Sequence, residues 1–380
     1  AKELTPSMTA GINKENIVGI ITETGGKTSH SAILARALEI PAVLSVNGAV
    51  SKLSAGTYVI VDGSEGVVID EPDDAVIQEY DTKRINFLKE RKELENFRGK
   101  ATKALSGEEY ELFCNIGKPE DAIKAVDADG EGVGLFRTEF LFMDRTALPT
   151  EDEQFDAYKK AALTLKGKPV IIRTLDIGGD KEIPYLGLKK EENPFLGFRA
   201  IRYCLKHKDL FKTQLRAIVR ASAFGDVRIM FPLITAVEEL REGKALVEEV
   251  KAELREQGVE FNENIPVGIM TETSAAVMIA DILAKESDFF SIGTNDLTGY
   301  TMACDRGNDD VAYLYSPLQP SVLRGIKYII DCANKNNISV GMCGEAAANP
   351  MMVPLLMSFG LTEFSVSCLL YTSPSPRDRG

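Results

Sequence analysis

The pattern of hydrophobic and polar positions changes along the chain and first predicts a small mixed domain. Short runs rich in β-branched residues are separated by glycine turns, and one segment of helical composition lies between them. The runs are residues 17–21, 43–46, 58–61 and 66–69, and the helical segment is 31–38. This arrangement predicts a compact β/β/α unit.

A charged stretch follows, from residue 71 to about residue 103. Its apolar residues recur at roughly helical spacing, at Ile77, Tyr80, Ile85, Leu88 and Phe97. The spacing predicts a solvated amphipathic helix that connects two domains.

From residue 107 onward, eight short apolar runs alternate with segments of helical composition. The runs are residues 110–115, 133–136, 170–174, 227–231, 267–270, 289–292, 339–342 and 364–366. Continuous apolar runs of this length are typical of a parallel sheet that is buried on both faces. Eight repeats of the alternation predict a (β/α)₈ barrel of the TIM type. The stretch after the third run is long enough for two helices, at 194–205 and 209–223.

A capping box marks the start of one of these helices. Thr150 and Glu153 stand three residues apart, just before the apolar positions of 155–165. That spacing lets each side chain bond the backbone N–H of the other residue.

These patterns predict four regions in the chain. They are a first domain at 1–72, a helical linker at 73–106, the barrel at 107–367 and a tail at 368–380. The tail ends in YTSPSPRDRG and is broken by proline and serine, so it cannot supply a closing helix. We therefore expect the tail to be non-native or disordered.

Composition narrows the function classes. Of 380 residues, 44% are hydrophobic and 27% are charged, as in ordinary folded proteins. The net charge of −13 argues against a protein that binds nucleic acid or anionic membranes. Six cysteines without C-x-x-C spacing, and no secretory or membrane-spanning pattern, predict reduced thiols in the cytoplasm.

Charged side chains stand at the predicted carboxyl ends of the barrel strands, where barrel enzymes place their active sites. Arg137 and Arg173 end the second and third strands, and Arg306 follows the sixth. Arginine binds phosphate and carboxylate through two parallel hydrogen bonds. Glu272 and Asp296, on neighbouring strands, offer the oxygen ligands that Mg²⁺ prefers. Any one of these arginines alone is more typical of a surface salt bridge, but the set predicts a site for a small phosphorylated acid.

Cys343 and His30 are the candidate reactive groups. Cys343 precedes a glycine at the end of the seventh strand, where it is either a proton donor or a small packing residue. His30 follows GGKTS and precedes the predicted helix at 31–38. A helix N-terminus favours a bound anion, so His30 suits phosphoryl transfer, although an incidental histidine beside a capped helix fits the same pattern. His207, between two lysines, is interpreted as an exposed linker residue, and two histidines are too few for a multi-histidine metal centre.

These motifs resemble a known family. The sequence GGKTSHSAILARALEIPAV at residues 25–43 resembles the phosphohistidine swivel domain of enzymes that use phosphoenolpyruvate. Residues 132–155, 173–181, 193–202, 289–308 and 341–345 are similar to their barrel. The resemblance covers nearly all of residues 1–367 and is nearest to Enzyme I of the bacterial sugar phosphotransferase system. It implies a cytoplasmic homodimer that associates through the barrel, and a chain truncated at both ends.

The resemblance also implies chemical roles. His30 would take the phosphoryl group of phosphoenolpyruvate and pass it to the phosphocarrier protein HPr. Cys343 would protonate the enolate carbon as pyruvate forms. Substrate binding would fall to Arg137, Arg173, Asn295 and Arg306, and Mg²⁺ binding to Glu272 and Asp296. Because the partner-docking part of the family is absent from residues 1–380, we expect weak or absent transfer to HPr.

Other assignments remain open at this stage. A fragment of pyruvate phosphate dikinase or phosphoenolpyruvate synthase would share the swivel domain and the barrel, although residues 137–155 favour Enzyme I. A Mg²⁺-dependent keto-acid lyase would share the barrel but would not need the swivel domain. A catalytically inactive binding relative is the third alternative.

Overall fold

A computed structural model of the chain defines two compact units, Ala1–Lys100 and Ala101–Cys368. Arg91, Pro184 and Asp309 are described through their backbone only. The residues that the structure describes are 1–2, 16–24, 35, 40–143, 145–178, 183–305 and 308–367.

The first unit contains two small strand pairs. Strands β1 (Ile20–Ile21) and β2 (Ala42–Val43) are parallel, whereas β3 (Val59–Asp62) and β4 (Val67–Asp70) are antiparallel. A short helix, α1 (Ala49–Lys52), follows β2. All four strands overlap the apolar runs predicted from sequence. Except for Ala35, the predicted helix at 31–38 lies outside the described residues, and so does His30.

The charged stretch forms one long helix, α2 (Asp74–Glu95). Asp73 caps the N-terminus of this helix, because its carboxylate accepts a hydrogen bond of 2.9 Å from the Val76 N–H. Ile85 and Leu88 are exposed on it. The helix is therefore solvated, as the charge density of the sequence predicts.

The second unit is a closed barrel of eight parallel strands, which confirms the (β/α)₈ fold. Each strand pairs with the next along the chain, and the last pairs with the first. The strands are β5 (Glu111–Ile116), β6 (Gly132–Arg137), β7 (Val170–Arg173), β8 (Val227–Phe231), β9 (Val267–Thr271), β10 (Phe289–Ile292), β11 (Ser339–Met342) and β12 (Glu363–Ser367).

Helices alternate with the strands along the chain. They are α3 (Asp121–Asp127), α4 (Glu151–Leu165), α5 (Ile201–Lys206), α6 (Lys208–Ala221), α7 (Val237–Glu256), α8 (Ser274–Met278), α9 (Ala280–Leu283), α10 (Thr294–Met302), α11 (Pro320–Lys335) and α12 (Val353–Phe359). The capping box at the start of α4 is confirmed, because Thr150 Oγ1 accepts from the Glu153 N–H at 3.2 Å and the Glu153 carboxylate accepts from the Thr150 N–H at 2.8 Å. Among the described helices, none is both long and apolar enough to cross a bilayer.

The prediction of a continuous helix at 194–205 is wrong. The segment forms a 3₁₀ turn at Pro194–Leu196, and α5 begins only at Ile201. Ala200 separates the two with φ near 52°, outside the helical region, and its N–H donates to the Ile177 carbonyl at 3.1 Å. This bond ties the start of α5 to the loop after β7 and places Arg199 at the mouth of the barrel.

Two apolar layers stabilise the barrel. The larger layer packs between strands and helices and includes the fully buried Phe136, Tyr158 and Phe231. A smaller cluster fills the inside of the barrel, and its members are Leu135, Ile171, Met230, Met270, Phe289 and Cys343. Because side chains fill the interior, the barrel is a packed core and the polar site lies at its carboxyl end.

Candidate active site at the carboxyl end of the barrel

Arg173, the last residue of β7, is a buried cation paired with two carboxylates. Its Nη2 lies 2.7 Å from Glu139 Oε1 and its Nη1 lies 3.1 Å from Asp176 Oδ2. Burial by itself would lower the pKa of this guanidinium, but the charges of Glu139 and Asp176 outweigh burial and raise it. The positive charge of Arg173 is therefore permanent, and two bonds hold it in place.

Arg137 stands directly opposite Arg173 in the register between β6 and β7. Its guanidinium lies 5.3 Å from the centre of the Phe140 ring and has no hydrogen bond or ion pair with any residue that the structure describes. Burial lowers its pKa, and so does the charge of Arg173, although Glu139 raises it. A largely buried cation that has no ion-pair partner among the described residues, and that stands beside a second guanidinium, favours a multiply charged anion.

Arg199 is a third cation at the same rim, and the sequence-based assignment of roles did not include it. Its Nη2 lies 2.9 Å from Asp176 Oδ1 and 3.1 Å from Asp296 Oδ2, and its Nη1 donates to the Tyr300 hydroxyl at 3.2 Å. Burial lowers the pKa of Arg199, but the neighbouring carboxylates reverse the effect and raise it. The signal that could have found it is its place within 193–202, one of the motifs that carry the family resemblance.

Glu272 is a buried carboxylate just beyond the end of β9. Its Oε1 accepts a hydrogen bond of 2.7 Å from the Leu233 N–H. Burial, followed by the negative charges of Asp296 and Asp176, raises its pKa to about 8 despite the nearby guanidiniums. A methyl group on Gly293 would lie 2.7 Å from Glu272 Oε2, so this glycine is needed for the carboxylate to fit.

Glu272 and Asp296 together fit a divalent cation. Asp296 lies in the first turn of α10, and the two carboxylates repel each other strongly enough to perturb Glu272. A divalent cation relieves such repulsion, and carboxylate oxygens are the ligands that Mg²⁺ prefers. No group of three or more His, Cys, Asp or Glu is arranged around a metal position within the described ranges, so water and substrate oxygens would complete the shell.

Cys343 and Asn295 complete the rim. The Cys343 N–H donates to the Ile292 carbonyl at 3.1 Å, and its Sγ lies 3.8 Å from the same oxygen. Burial raises the pKa of the thiol to about 11, so the sulfur keeps its proton at neutral pH. Asn295 is half-buried, and its Oδ1 accepts from the Glu345 N–H at 3.3 Å.

The electrostatic links between these groups indicate one site. The charge of Arg173 helps to lower the pKa of Arg137 and opposes the rise in the pKa values of Glu272 and Cys343, and these three residues come from different strands. The structure therefore brings together six of the eight predicted site residues, namely Arg137, Arg173, Glu272, Asn295, Asp296 and Cys343. His30 and Arg306 lie outside the described residues.

Comparison with known protein families gives two matches along the chain. Residues 91–370 match the PEP-binding domain of PEP-utilising enzymes, and residues 1–66 match the mobile domain of PEP-utilising enzymes. The larger match contains all of the site described above.

The curated relatives that the chain matches are named phosphoenolpyruvate-protein phosphotransferases. The chain is 52% identical over 367 residues to the phosphoenolpyruvate-protein phosphotransferase of Geobacillus stearothermophilus and 50% identical over 367 residues to that of Bacillus subtilis strain 168. It is 50% identical over 365 residues to that of Staphylococcus carnosus strain TM300. The alignments cover 96–97% of this chain and 64% of each relative, so the chain spans less than two thirds of their length.

Proposed function

The chain belongs to the PEP-utilising enzymes, and from this membership we propose that it is a phosphoenolpyruvate–protein phosphotransferase. It takes the phosphoryl group of phosphoenolpyruvate onto His30, releases pyruvate, and passes the phosphoryl group to HPr. The observation that carries the proposal is the pair of guanidiniums at Arg137 and Arg173, of which Arg137 has no described anionic partner. A phosphate group provides the anionic partner that Arg137 does not find among the described residues.

In the proposed first step, the bond between phosphorus and the bridging oxygen breaks as a bond forms between phosphorus and an imidazole nitrogen of His30. Arg137 and Arg173 bind the phosphoryl oxygens and balance their charge while the group is transferred. Asn295 and Arg306 assist in binding the substrate. The roles of His30 and Arg306 rest on the sequence motifs around them.

In the second step, the enolate of pyruvate takes a proton at its third carbon. The Cys343 S–H bond breaks as the C–H bond forms, and the thiolate recovers its proton from water. The raised pKa of the thiol supports this role, because it keeps the proton on sulfur until an enolate is present.

Mg²⁺ is the metal we propose, and Glu272 and Asp296 would hold it. When bound, it supplies positive charge to the phosphoryl and carboxylate oxygens of the substrate. Glu272 is positioned for this by the Leu233 N–H, and Asp296 by Arg199.

The remaining elements of the proposal come from the resemblance. They are a swivel domain at 1–72, a linker at 73–106, a barrel at 107–367, association of two barrels into a homodimer, and a cytoplasmic location. The exposed apolar residues Met278 and Ile282, on neighbouring helices, are compatible with an interface on this unit.

The acceptor distinguishes this function from that of a dikinase fragment. Pyruvate release from phosphoenolpyruvate and Mg²⁺ is followed with lactate dehydrogenase, first without an acceptor and then with HPr, or with AMP and diphosphate. We expect about one equivalent of pyruvate per chain without an acceptor, and any further release only with HPr. Further release with AMP and diphosphate instead would assign the chain to the dikinases.

A further inference from the structure

Cys343 is held by hydrogen bonds on both sides of its backbone. On one side, its N–H and its Sγ both approach the Ile292 carbonyl at the end of β10. On the other side, its carbonyl oxygen accepts a hydrogen bond of 3.0 Å from Asn115 Nδ2. The backbone of the residue proposed to deliver the proton is therefore hydrogen-bonded on both sides.

Asn115 reaches Cys343 from a strand that does not neighbour β11. It lies on β5, and its Nδ2 also donates to the Ser365 carbonyl of β12 at 3.3 Å. Its Oδ1 accepts from Ser365 Oγ at 2.7 Å. Through this one amide, β5 and β12 are tied to the residue that follows β11.

The strand pairing explains why a side chain is needed here. The register between β11 and β12 contains only Gly341 with Glu363 and Met342 with Phe364, so the ladder stops before Cys343. The Asn115 amide thus supplies to the Cys343 carbonyl the donor that the next strand does not supply. An unpaired buried carbonyl would be costly, and its peptide would be free to tilt.

The position of Asn115 depends on an irregularity in the barrel. The register between β5 and β6 shifts between Cys114 and Asn115. A shift of this kind bends the strand locally and redirects the side chain beside it. The sheet is therefore irregular at the residue whose amide reaches across to Cys343.

We propose that Asn115 is a positioning residue for proton delivery, which fixes the peptide of Cys343 and thereby the direction of its S–H bond. This inference rests on the proposed function. Asn115 acts on the step in which S–H breaks and the C–H bond of pyruvate forms, and the P–O cleavage step does not depend on it. Its loss therefore slows protonation more than phosphoryl transfer.

The test measures the two steps separately on the full chain. One assay follows transfer of labelled phosphoryl from phosphoenolpyruvate to the protein with Mg²⁺. The other follows exchange of the pyruvate methyl protons in D₂O by NMR, with phosphoenolpyruvate and Mg²⁺ present and a protein-free blank subtracted. For Asn115→Ala we expect the ratio of exchange rate to labelling rate to fall at least about tenfold, since a misplacement of 1 Å can reduce a rate by roughly 10²-fold.

Two further variants separate positioning from stability. Asn115→Asp keeps the volume and the acceptor for Ser365 but loses the donor, so we expect the same fall in the ratio. Ser365→Ala removes only the hydroxyl that orients the amide, and we expect a smaller fall in the same direction. Thermal unfolding shows whether Asn115→Ala folds. If it does not fold, the ratio measured for Ser365→Ala decides whether the inference holds.

Asn336→Ala is the matched control. Asn336 Nδ2 donates to the Cys332 carbonyl at 2.8 Å, the same kind of bond onto a cysteine peptide, at the end of α11. We expect it to leave the ratio unchanged. If the wild-type chain is active and the ratio is unchanged in folded Asn115 variants, the inference alone is overturned. If the wild-type chain neither takes up labelled phosphoryl nor exchanges the pyruvate protons, the proposed function is overturned and the inference with it.

Discussion

The Nη2 atom of Arg199 lies 3.1 Å from Asp296 Oδ2, so a guanidinium contacts one of the two carboxylates proposed to hold the metal ion. The same nitrogen lies 2.9 Å from Asp176. Arg199 thus balances part of the negative charge of Asp176 and Asp296. The charge of Arg199 and that of a divalent cation act on the same carboxylates, and removing the arginine should make the protein depend more strongly on the metal ion.

Arg199→Met is therefore expected to be destabilising and to be rescued in part by Mg²⁺. It removes the cation paired with Asp296 and one of the cations paired with Asp176, and breaking a buried pair in this way typically costs about 3–5 kcal/mol. Thermal unfolding with and without Mg²⁺ should show a larger Mg²⁺-induced increase of the midpoint in the variant than in the wild type. Arg241→Ala, which removes an exposed arginine paired with Glu286, is the control and should behave like the wild type. Equal Mg²⁺ effects in Arg199→Met and wild type would show that the two cations act independently.

Arg137→Met should reduce catalysis without reducing stability. A hydrogen bond to a charged group contributes about 1.5–3 kcal/mol, so kcat/KM for phosphoenolpyruvate should fall about ten- to a hundredfold. The free energy of unfolding should stay the same or increase, because the substitution removes a largely buried charge that has no described partner.

The matched variant for that prediction is Arg173→Met. Arg173 has the same position on the next strand but is paired with Glu139 and Asp176, so its loss should reduce both kcat/KM and the thermal midpoint. Steady-state kinetics and thermal unfolding of the two variants check the contrast. If Arg137→Met destabilises the chain as much as Arg173→Met, then Arg137 pairs with an anion of the protein itself and is not reserved for binding the substrate phosphate.

Glu272→Gln and Asp296→Asn should each weaken metal binding. Removing one of two carboxylate ligands should reduce the affinity for Mn²⁺, used as a probe for Mg²⁺, by at least about tenfold. Electron paramagnetic resonance of free Mn²⁺ measures this directly. Glu286→Gln is the control: it removes a half-buried carboxylate paired with Arg241 on the same unit and should leave the affinity unchanged. If all three variants bind Mn²⁺ as tightly as the wild type, the metal site lies elsewhere.

Glu363→Gln should change how stability depends on pH. Glu363, at the start of β12, is buried, and burial together with the charge of Glu111 raises its pKa to about 8 although Arg228 opposes the rise. The folded state keeps a proton that the unfolded chain releases above about pH 4.5, so this residue lowers the free energy of unfolding as pH rises from about 4.5 to 8. Glutamine is neutral throughout, so the variant should gain up to a few kcal/mol relative to wild type near pH 8 and little at low pH. Urea unfolding across this range tests it, and parallel pH profiles for the two proteins would contradict it.

The sequence allowed the barrel to be predicted because its signal is local and repeated. Each buried strand is a short apolar run, and eight of them alternate with helical segments, so the fold follows from periodicity alone. The same periodicity located Arg137 and Arg173, since the position of a strand end is a local property. Periodicity does not show where a helix is interrupted: α8 and α9 are separate because the backbone at Ile279 leaves the helical region between them.

Arg199 and Asn115 could not be assigned in this way because their roles depend on contacts between distant parts of the chain. Arg199 lies in a loop, and its partner Asp296 is 97 residues away. Asn115 is an ordinary polar residue near a strand end, and the carbonyl that it holds is 228 residues away. No spacing in the sequence encodes either contact, and both required the closed barrel.

The most direct test of the proposed function is the covalent state of His30. The protein is mixed with phosphoenolpyruvate labelled in its phosphoryl group and with Mg²⁺, and the same is done with His30→Ala. The account predicts label on the wild-type protein that is lost in acid, stable in base and absent from His30→Ala. Folded wild-type protein that takes up no label, or a His30→Ala variant that is labelled as well as the wild type, would contradict it.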